Sequence, residues 1–327
     1  MNPEFDIVIV GGGAAGLSAA LVLGRARRSV AVVDAGEPRN APAAHMHGFL
    51  SRDGMPPQEL LAAGRKEIAG YGVETLDDRV DEIEPGFAVR LAGGDVLEAR
   101  RLLIATGASD ELPDILGARE RWGRDFLHCP YCHGWEVRDQ PIGVLATQNG
   151  SVQHAHLLRQ WSEDVVFFTH TQTVNAEERA QLEGRGIEIV DGTVASVVID
   201  DDKLTGLELD DGRVIPRAAV FIRPANQPHA DGLLNQIGCV LDEAGFPAVD
   251  ATGQTSTVGV WAAGNIVDPR IQVITAAGAG NAAAIAINAD LVADDVRNAV
   301  AVSRSGDITR QTECSGMTPE PRFPDAD

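Results

Sequence analysis

Cysteine is scarce, with four in 327 residues. That is too few to staple a chain of this size, so a disulfide-built scaffold is excluded, and any close pair calls for a redox or metal explanation. There is no second C-x-x-C and no H-x-x-x-H. His128 and His133 flank Cys129 and Cys132 but do not complete the four ligands of a closed zinc site, so no metal is expected. No apolar run approaches the ~20 residues of a bilayer span. No basic segment precedes the first apolar stretch, which follows Met1-Asn2-Pro3-Glu4-Phe5-Asp6. The expectation is therefore a cytoplasmic protein without a membrane partner. Positive charge is in deficit. A net charge of −21 repels phosphate backbones and anionic lipid, which argues against a nucleic-acid partner and otherwise serves solubility.

Glycine, by contrast, is abundant at 35 residues, suiting tight turns and close backbone approach to ligands, and the length suits two domains. Asp6-Ile7-Val8-Ile9-Val10 reads as a buried parallel strand. It runs into Gly11-Gly12-Gly13-Ala14-Ala15-Gly16, a helix over Leu17 to Arg28, a strand Ser29 to Val33, and Asp34. Strand, glycine turn, helix, strand and acid together form the dinucleotide fingerprint. Gly11 permits the turn, Gly13 lets backbone approach a pyrophosphate, Gly16 lets helix pack on strand, and Asp34 accepts from an adenosine ribose.

Glu37 to Pro57 is a long irregular stretch holding His45, Met46 and His47, of the kind that is usually functional or disordered. A helix over Gln58 to Gly70 follows. Short strands near Val73–Leu76, Ala88–Leu91 and Val96–Glu98 lead to the apolar strand ending in Ala105-Thr106-Gly107. Asp110 to about Asp125 is polar and turn-rich, a domain crossing. Then comes Cys129-Pro130-Tyr131-Cys132-His133. Alternating strands and helices follow from Pro141 to Val190, then a meander turning at Asp200–Asp202 and Asp210–Gly212. The strand Ala219–Ile222 is expected to return toward the first domain. The closing segment holds Gly264-Asn265, then Gln272-Val273 and an Ala-rich helix to about Val302. Residues from Ser303 on are expected to form a loose tail.

The order glycine turn, Ala-Thr-Gly, C-x-x-C, inserted β/α unit and Ala-Gly-Asp-like closing motif resembles the low-molecular-weight thioredoxin reductases over nearly all of the chain to about residue 302. The resemblance implies an α/β fold of two Rossmann-like domains (three-layer FAD/NAD(P) type), the second inserted in the first. Residues 1–112 and 246–302 would bind FAD, residues 113–245 would form a central pyridine-nucleotide-like domain carrying the cysteines, and the protein would be a homodimer. FAD contacts are implied for Gly11, Gly13, Ala14, Ala15, Gly16, Asp34, Asn40, His47, Val80, Ala105, Thr106, Gly107, Gly264, Asn265, Gln272 and Val273. Asn265 stands where the family has Asp; its amide can still reach the ribityl chain or, through NH2, a phosphate.

Two departures set the functional expectation. The central domain's own nucleotide turn reads Ala146-Thr147-Gln148-Asn149-Gly150-Ser151, without the family's glycines, and Thr169-His170-Thr171-Gln172-Thr173 stands where the family carries cations for a 2′-phosphate. Weak or absent NADPH binding follows. The redox motif carries His133 in place of the family's acid, like the FAD-dependent dithiol oxidases that close disulfides in natural products such as gliotoxin, holomycin and romidepsin. Cys-Pro-Tyr-Cys also occurs in glutaredoxins, but no thioredoxin-fold block surrounds it here. The resemblance places Cys132 beside the flavin, Cys129 toward the substrate and His133 as proton carrier, with a small dithiol and O2 as reactants. Two other readings stay open. One is a reductase of thioredoxin-like proteins fed by NADPH or ferredoxin, and the other a non-enzymatic FAD module. Cys239 reads as core and Cys314 as tail.

Overall fold

The computed structural model describes residues 4–229 and 232–315, with side chains as far as Arg304. The apolar run at the N-terminus becomes β1 (Glu4–Val10), whose side chains alternate between two cores: Ile7 and Ile9 on one face, Val8 and Val10 on the other. Burial on both faces is what a central parallel strand requires. The chain turns into α1 (Ala14–Arg25), which starts about a turn earlier than expected, directly after its N-cap Gly13, and stops about a turn earlier, with Arg27 beyond its end at a left-handed φ of 65°. Next are β2 (Val30–Val33), α2 (Pro57–Ala69), β3 (Glu74–Leu76), β4 (Val80–Glu84), β5 (Ala88–Leu91) and β6 (Val96–Ile104). Sheet order is β3-β2-β1-β6-β5-β4. The two short β segments anticipated around residues 96–105 are one strand.

β7 (Ala108–Glu111) leaves this unit. The central unit holds α3 (Ala118–Arg121), β8 (Phe126–Leu127), α4 (Pro130–His133), β9 (Ile142–Leu145), α5 (Ser151–Leu158), β10 (Val165–Phe168), α6 (Ala176–Gly184) and β11 (Glu188–Val190). The meander β12 (Val194–Asp200), β13 (Lys203–Leu209) and β14 (Val214–Pro216) follows, then β15 (Ala219–Ile222). The parallel sheet runs β11-β10-β9-β15-β8. Val144, Phe167 and Phe221 face the helices, while Leu145, Phe168 and Ile222 face the meander, giving three layers.

β15 therefore stays in the central sheet and does not return to the first unit. The return is made by β16 (Ala225–Pro228), paired antiparallel with β7. The boundary expected at residue 246 also lies too late. Leu233 and Leu234 of α7 (Leu233–Gln236), with Cys239, join the core formed by Val8, Val10, Leu102 and Val260. The Gln236 side chain caps the Ile83 N–H of β4 at 2.9 Å. β17 (Val260–Ala262) adds to β6 in parallel.

The chain closes with α8 (Val273–Ser315), which overruns the end expected at Val302. Residues 303–315 contain one glycine and no proline, and the prolines that signalled a tail begin at Pro319, outside the described residues, as does the rest of that tail. By length and composition Val273–Arg304 is apolar enough to match a membrane span, which the run-length reading missed. In the fold its inner face is core. Ala283, Ala284, Ile287 and Leu291 pack with Ala15, Ala19 and Leu23 of α1. Arg100 and Arg101 of β6 reach Asp290, Asp294 and Asp295 on its flank.

Candidate active site

The ends of β1, β2, β6 and β17 point the same way, and the loops that follow them form one crevice, the usual ligand position of an open parallel sheet. Gly11, at φ +109°, crosses the end of β6 so closely that a Cβ would lie 2.4 Å from the Ala105 carbonyl oxygen. A Cβ on Gly16 would lie 1.9 Å from the Gly11 carbonyl oxygen. Beside Gly13 the space is open, as backbone approach to a pyrophosphate requires. Ala14 and Ala15 form the first turn of α1. Val80, Asp34 and Thr106 line the same pocket as Gly11, with His229 and Leu233 from the returning chain. The Thr106 hydroxyl is buried without a protein partner, an atom a bound cofactor would satisfy. Gly107 turns at φ 81° and Gly264 at φ 88°. The residues present fit a dinucleotide.

Asn40 lies in the long loop after β2, and its carbonyl accepts from Ala43 N–H at 3.1 Å. For Asn265 the structure narrows the expectation. Its NH2 donates to the carbonyls of Asp268 and Ile271, both at 3.1 Å, so that amide is spent on the loop leading to Gln272 and is not offered to a phosphate. Sequence reasoning missed Arg65 of α2, which pairs with Asp34 and with Asp77. Only a tertiary contact reveals it.

The cysteines are joined as a disulfide, with Cα atoms 5.2 Å apart. Cys129 is the extended residue ahead of the single turn α4, and Pro130 starts that turn, a position where a missing N–H costs nothing. Both cysteines are half-buried. The Cys132 sulfur faces the first unit, with Gln272 Nε2 at 3.8 Å, immediately before Val273 begins α8. His47 crosses between units, Nδ1 3.4 Å from Asp53 and Nε2 3.5 Å from Glu136. His45 instead turns into its own loop, where Nδ1–H donates to the Gly54 carbonyl at 3.0 Å. His133 is half-buried with Nδ1 unpartnered, and burial pushes its pKa down, against the pull of Glu136. It is neutral near pH 7 and so able to take a proton. Burial likewise pushes His128 down to about 4.

The central unit's own nucleotide turn is filled from within. Thr147 Oγ1 donates to the Arg223 carbonyl at 2.7 Å, and Gln148 Nε2 donates to the carbonyls of Arg223 and Pro224 at 3.0 and 2.7 Å. The Arg223 guanidinium lies over Gly150, within 3.2 Å of where a Cβ would be. Beside the turn is a cleft of about 590 Å³ lined by Pro113, Asp114, Thr147, His170, Thr171 and Asp210 among others. Its lining holds two carboxylates and neither Lys nor Arg.

A disulfide on a single helical turn, facing a dinucleotide crevice built by a three-layer α/β unit, defines a flavin-dependent disulfide oxidoreductase. The chain belongs to the pyridine nucleotide-disulphide oxidoreductase family, whose model matches residues 5–280, and FAD is its cofactor. It is 30% identical to a protein named thioredoxin reductase sirT from Leptosphaeria maculans, over 89% of this chain and 96% of that one. It is 31% identical to thioredoxin reductase aclD of Aspergillus oryzae, over 80% of this chain and 88% of that one. Among solved structures, that of HlmI is 53% identical with a TM-score of 0.89, covering 92% of this chain and 97% of that one.

Proposed function

We propose that this disulfide oxidoreductase oxidises a small dithiol to its cyclic disulfide, with O2 as final acceptor. The observation that carries the proposal is the second nucleotide turn, closed by Thr147, Gln148 and Arg223, while Cys132 faces the flavin crevice. A reductase fed by NADPH needs its hydride donor in that turn. An oxidase does not.

In the proposed cycle a substrate thiolate attacks the Cys129 sulfur, the Cys129–Cys132 bond breaks, and Cys132 leaves as thiolate. The second substrate thiol, losing its proton to His133, attacks the substrate sulfur of the mixed disulfide. The product disulfide departs and Cys129 is released as thiolate. FAD held by the Gly11–Gly16 turn and Thr106 would supply the two-electron acceptor by which the Cys129–Cys132 pair, giving up its thiol protons, returns to the disulfide, with O2 leaving as H2O2. The sum is dithiol plus O2 to disulfide plus H2O2. His133 carries the proton between sulfur and solvent, a task suited to a group titrating near or below neutrality.

The names of the relatives favour a second reading, reduction of a thioredoxin-like protein. One anaerobic titration separates the two. Dithiothreitol is expected to bleach the flavin, with colour and H2O2 appearing on admission of air, and NADPH is expected to leave it yellow. Bleaching by micromolar NADPH would sink the oxidase proposal. A homodimer is also proposed, with Ile285, Val292 and Val296, exposed on one face of α8 at spacings of about two turns and one turn, set against a second copy. Val292→Glu should then give a monomer in light scattering.

A further inference from the structure

Burial separates aromatic from aliphatic side chains unevenly in this fold. Only three aromatic residues are more than a third exposed among the described side chains: Tyr71, Tyr131 and Trp135. Tyr71 is occupied, its ring under the Arg25 guanidinium and its hydroxyl bonded to it. The other two lie on the redox turn itself. Tyr131, 64% exposed, stands between the cysteines, and Trp135, 65% exposed, follows Cys132 by three residues. Gly134 keeps right-handed helical angles and donates to the Pro130 carbonyl at 2.7 Å, so the turn continues and positions 131 and 135 share a face.

Neither ring is loose. Trp161 meets Tyr131 edge-on, centroids 5.7 Å apart at 85°. Arg138 covers one face of the Trp135 indole at 4.0 Å, and its guanidinium also donates to the Trp135 carbonyl at 2.6 Å. Large apolar rings held in position yet left in water are the informative kind of exposure. Rigid Tyr and Trp side chains bind flat partners at low entropic cost.

We infer that Tyr131 and Trp135 form a stacking platform that selects a small dithiol with an aromatic face, laying its ring beside the disulfide so that one sulfur reaches Cys129. The inference rests on the dithiol-oxidase reading and names its substrate class. The Arg138 guanidinium adds a positive charge at the platform on an otherwise acidic molecule, where a thiolate would arrive. A protein substrate would have to bring a complementary basic surface to the net charge of −21, and two rings on one turn offer it little area.

The test compares 1,2-benzenedimethanethiol with dithiothreitol. Both close six-membered cyclic disulfides and differ in the aromatic face. Second-order rate constants for anaerobic flavin bleaching are measured in the FAD-loaded full chain. Wild type should favour the aromatic dithiol. Trp135→Ala should reduce that preference by about tenfold, whereas Trp135→Phe, which keeps a ring, should hold it within about threefold. Equal rates for the two dithiols in wild type overturn the platform while leaving the oxidase reading intact. So does a loss in Trp135→Ala that falls equally on both dithiols, which marks a structural role. Rapid turnover of a thioredoxin, abolished in Trp135→Ala, assigns the rings to a protein partner and also overturns it. If neither dithiol bleaches the flavin, the oxidase reading falls. The platform is then judged by calorimetric binding of the cyclic aromatic disulfide: binding to wild type and not to Trp135→Ala upholds it, and equal or no binding removes it.

Discussion

Arg39 grips Asp110 with two guanidinium nitrogens, Nε at 3.0 Å from Oδ2, although 71 positions separate them. The same Asp110 accepts from Asn226 at 2.7 Å, so one carboxylate joins the long loop of the first unit to both strands of the link, β7 and β16. Arg39 also reaches the Pro269 carbonyl, close before Gln272. The pair is largely buried, with side-chain exposures of 16% and 7%.

Truncating one partner of such a pair leaves the other charged and buried, which costs about 3–5 kcal/mol. Asp110→Ala should therefore lower the melting temperature strongly, and Asp110→Asn, which keeps an acceptor, should lower it less. Flavin bleaching by dithiol should slow in both, because the loop and the link set the approach of the cysteines. Equal melting of Asp110→Ala and wild type would show the pair to be solvated and idle.

As the base of the proposed cycle, His133 should set an acid limb on turnover. Burial holds its pKa below the ordinary 6.5, so the imidazole is the neutral base at pH 7 and becomes protonated only as pH falls through that lowered value. Expressed per substrate thiolate, whose fraction itself rises with pH, bleaching rates should be flat through neutrality and decline below pH 6.5. His133→Gln should cost roughly 10²–10⁴ in rate and erase the limb. An unchanged limb in that variant would move the base elsewhere.

Stability should follow pH through two other histidines. Burial depresses His128 to about 4 and His154 to about 3. An unfolded chain takes up those protons below about 6.5 while the folded one does not, so unfolding becomes easier as pH falls from there toward 4. Each histidine contributes a slope of about 1.4 kcal/mol per pH unit within its window. His154→Phe, against the edge-on ring of Phe221, should flatten the stability profile by one such slope in denaturant titrations at several pH values. A profile of unaltered steepness would mean that His154 charges in place.

What could be read from sequence was what is local in the chain. The first strand, its glycine turn, helix and Asp34 lie within some thirty residues, and the cysteine pair within four, so pattern alone located them. The eroded second turn was visible as missing glycines at 146–151. What fills it was not, since Arg223 comes from 70 positions and more downstream. Arg65 on Asp34, His47 on Glu136 and Arg39 on Asp110 are likewise pairings that no local period encodes. β4 escaped notice because Val80-Asp81-Glu82-Ile83-Glu84 reads as acidic, yet Val80 and Ile83 are its buried positions. The boundary was placed too late because α7 is a four-residue helix whose leucines declare their core only by packing.

Two glycines of α8, two residues apart and so on opposite faces of the helix, give a matched test of how the flavin crevice is held. A Cβ on Gly280 would lie 2.0 Å from the Ala15 carbonyl oxygen, in the first turn of α1 that faces the cofactor. A Cβ on Gly278 would meet nothing within 4 Å. Ala is favoured over Gly inside a helix by about 1 kcal/mol, so Gly278→Ala should melt higher and keep its FAD. Gly280→Ala gains the same propensity but must push α8 away from α1, and overpacking of this kind costs typically about 1–3 kcal/mol. It should melt lower than wild type and purify with less flavin, as the ratio of flavin to protein absorbance reports. Matching behaviour in the two variants would mean that α1 and α8 can separate without disturbing the turn at Gly11–Gly16, and the crevice would then owe its shape to the sheet alone.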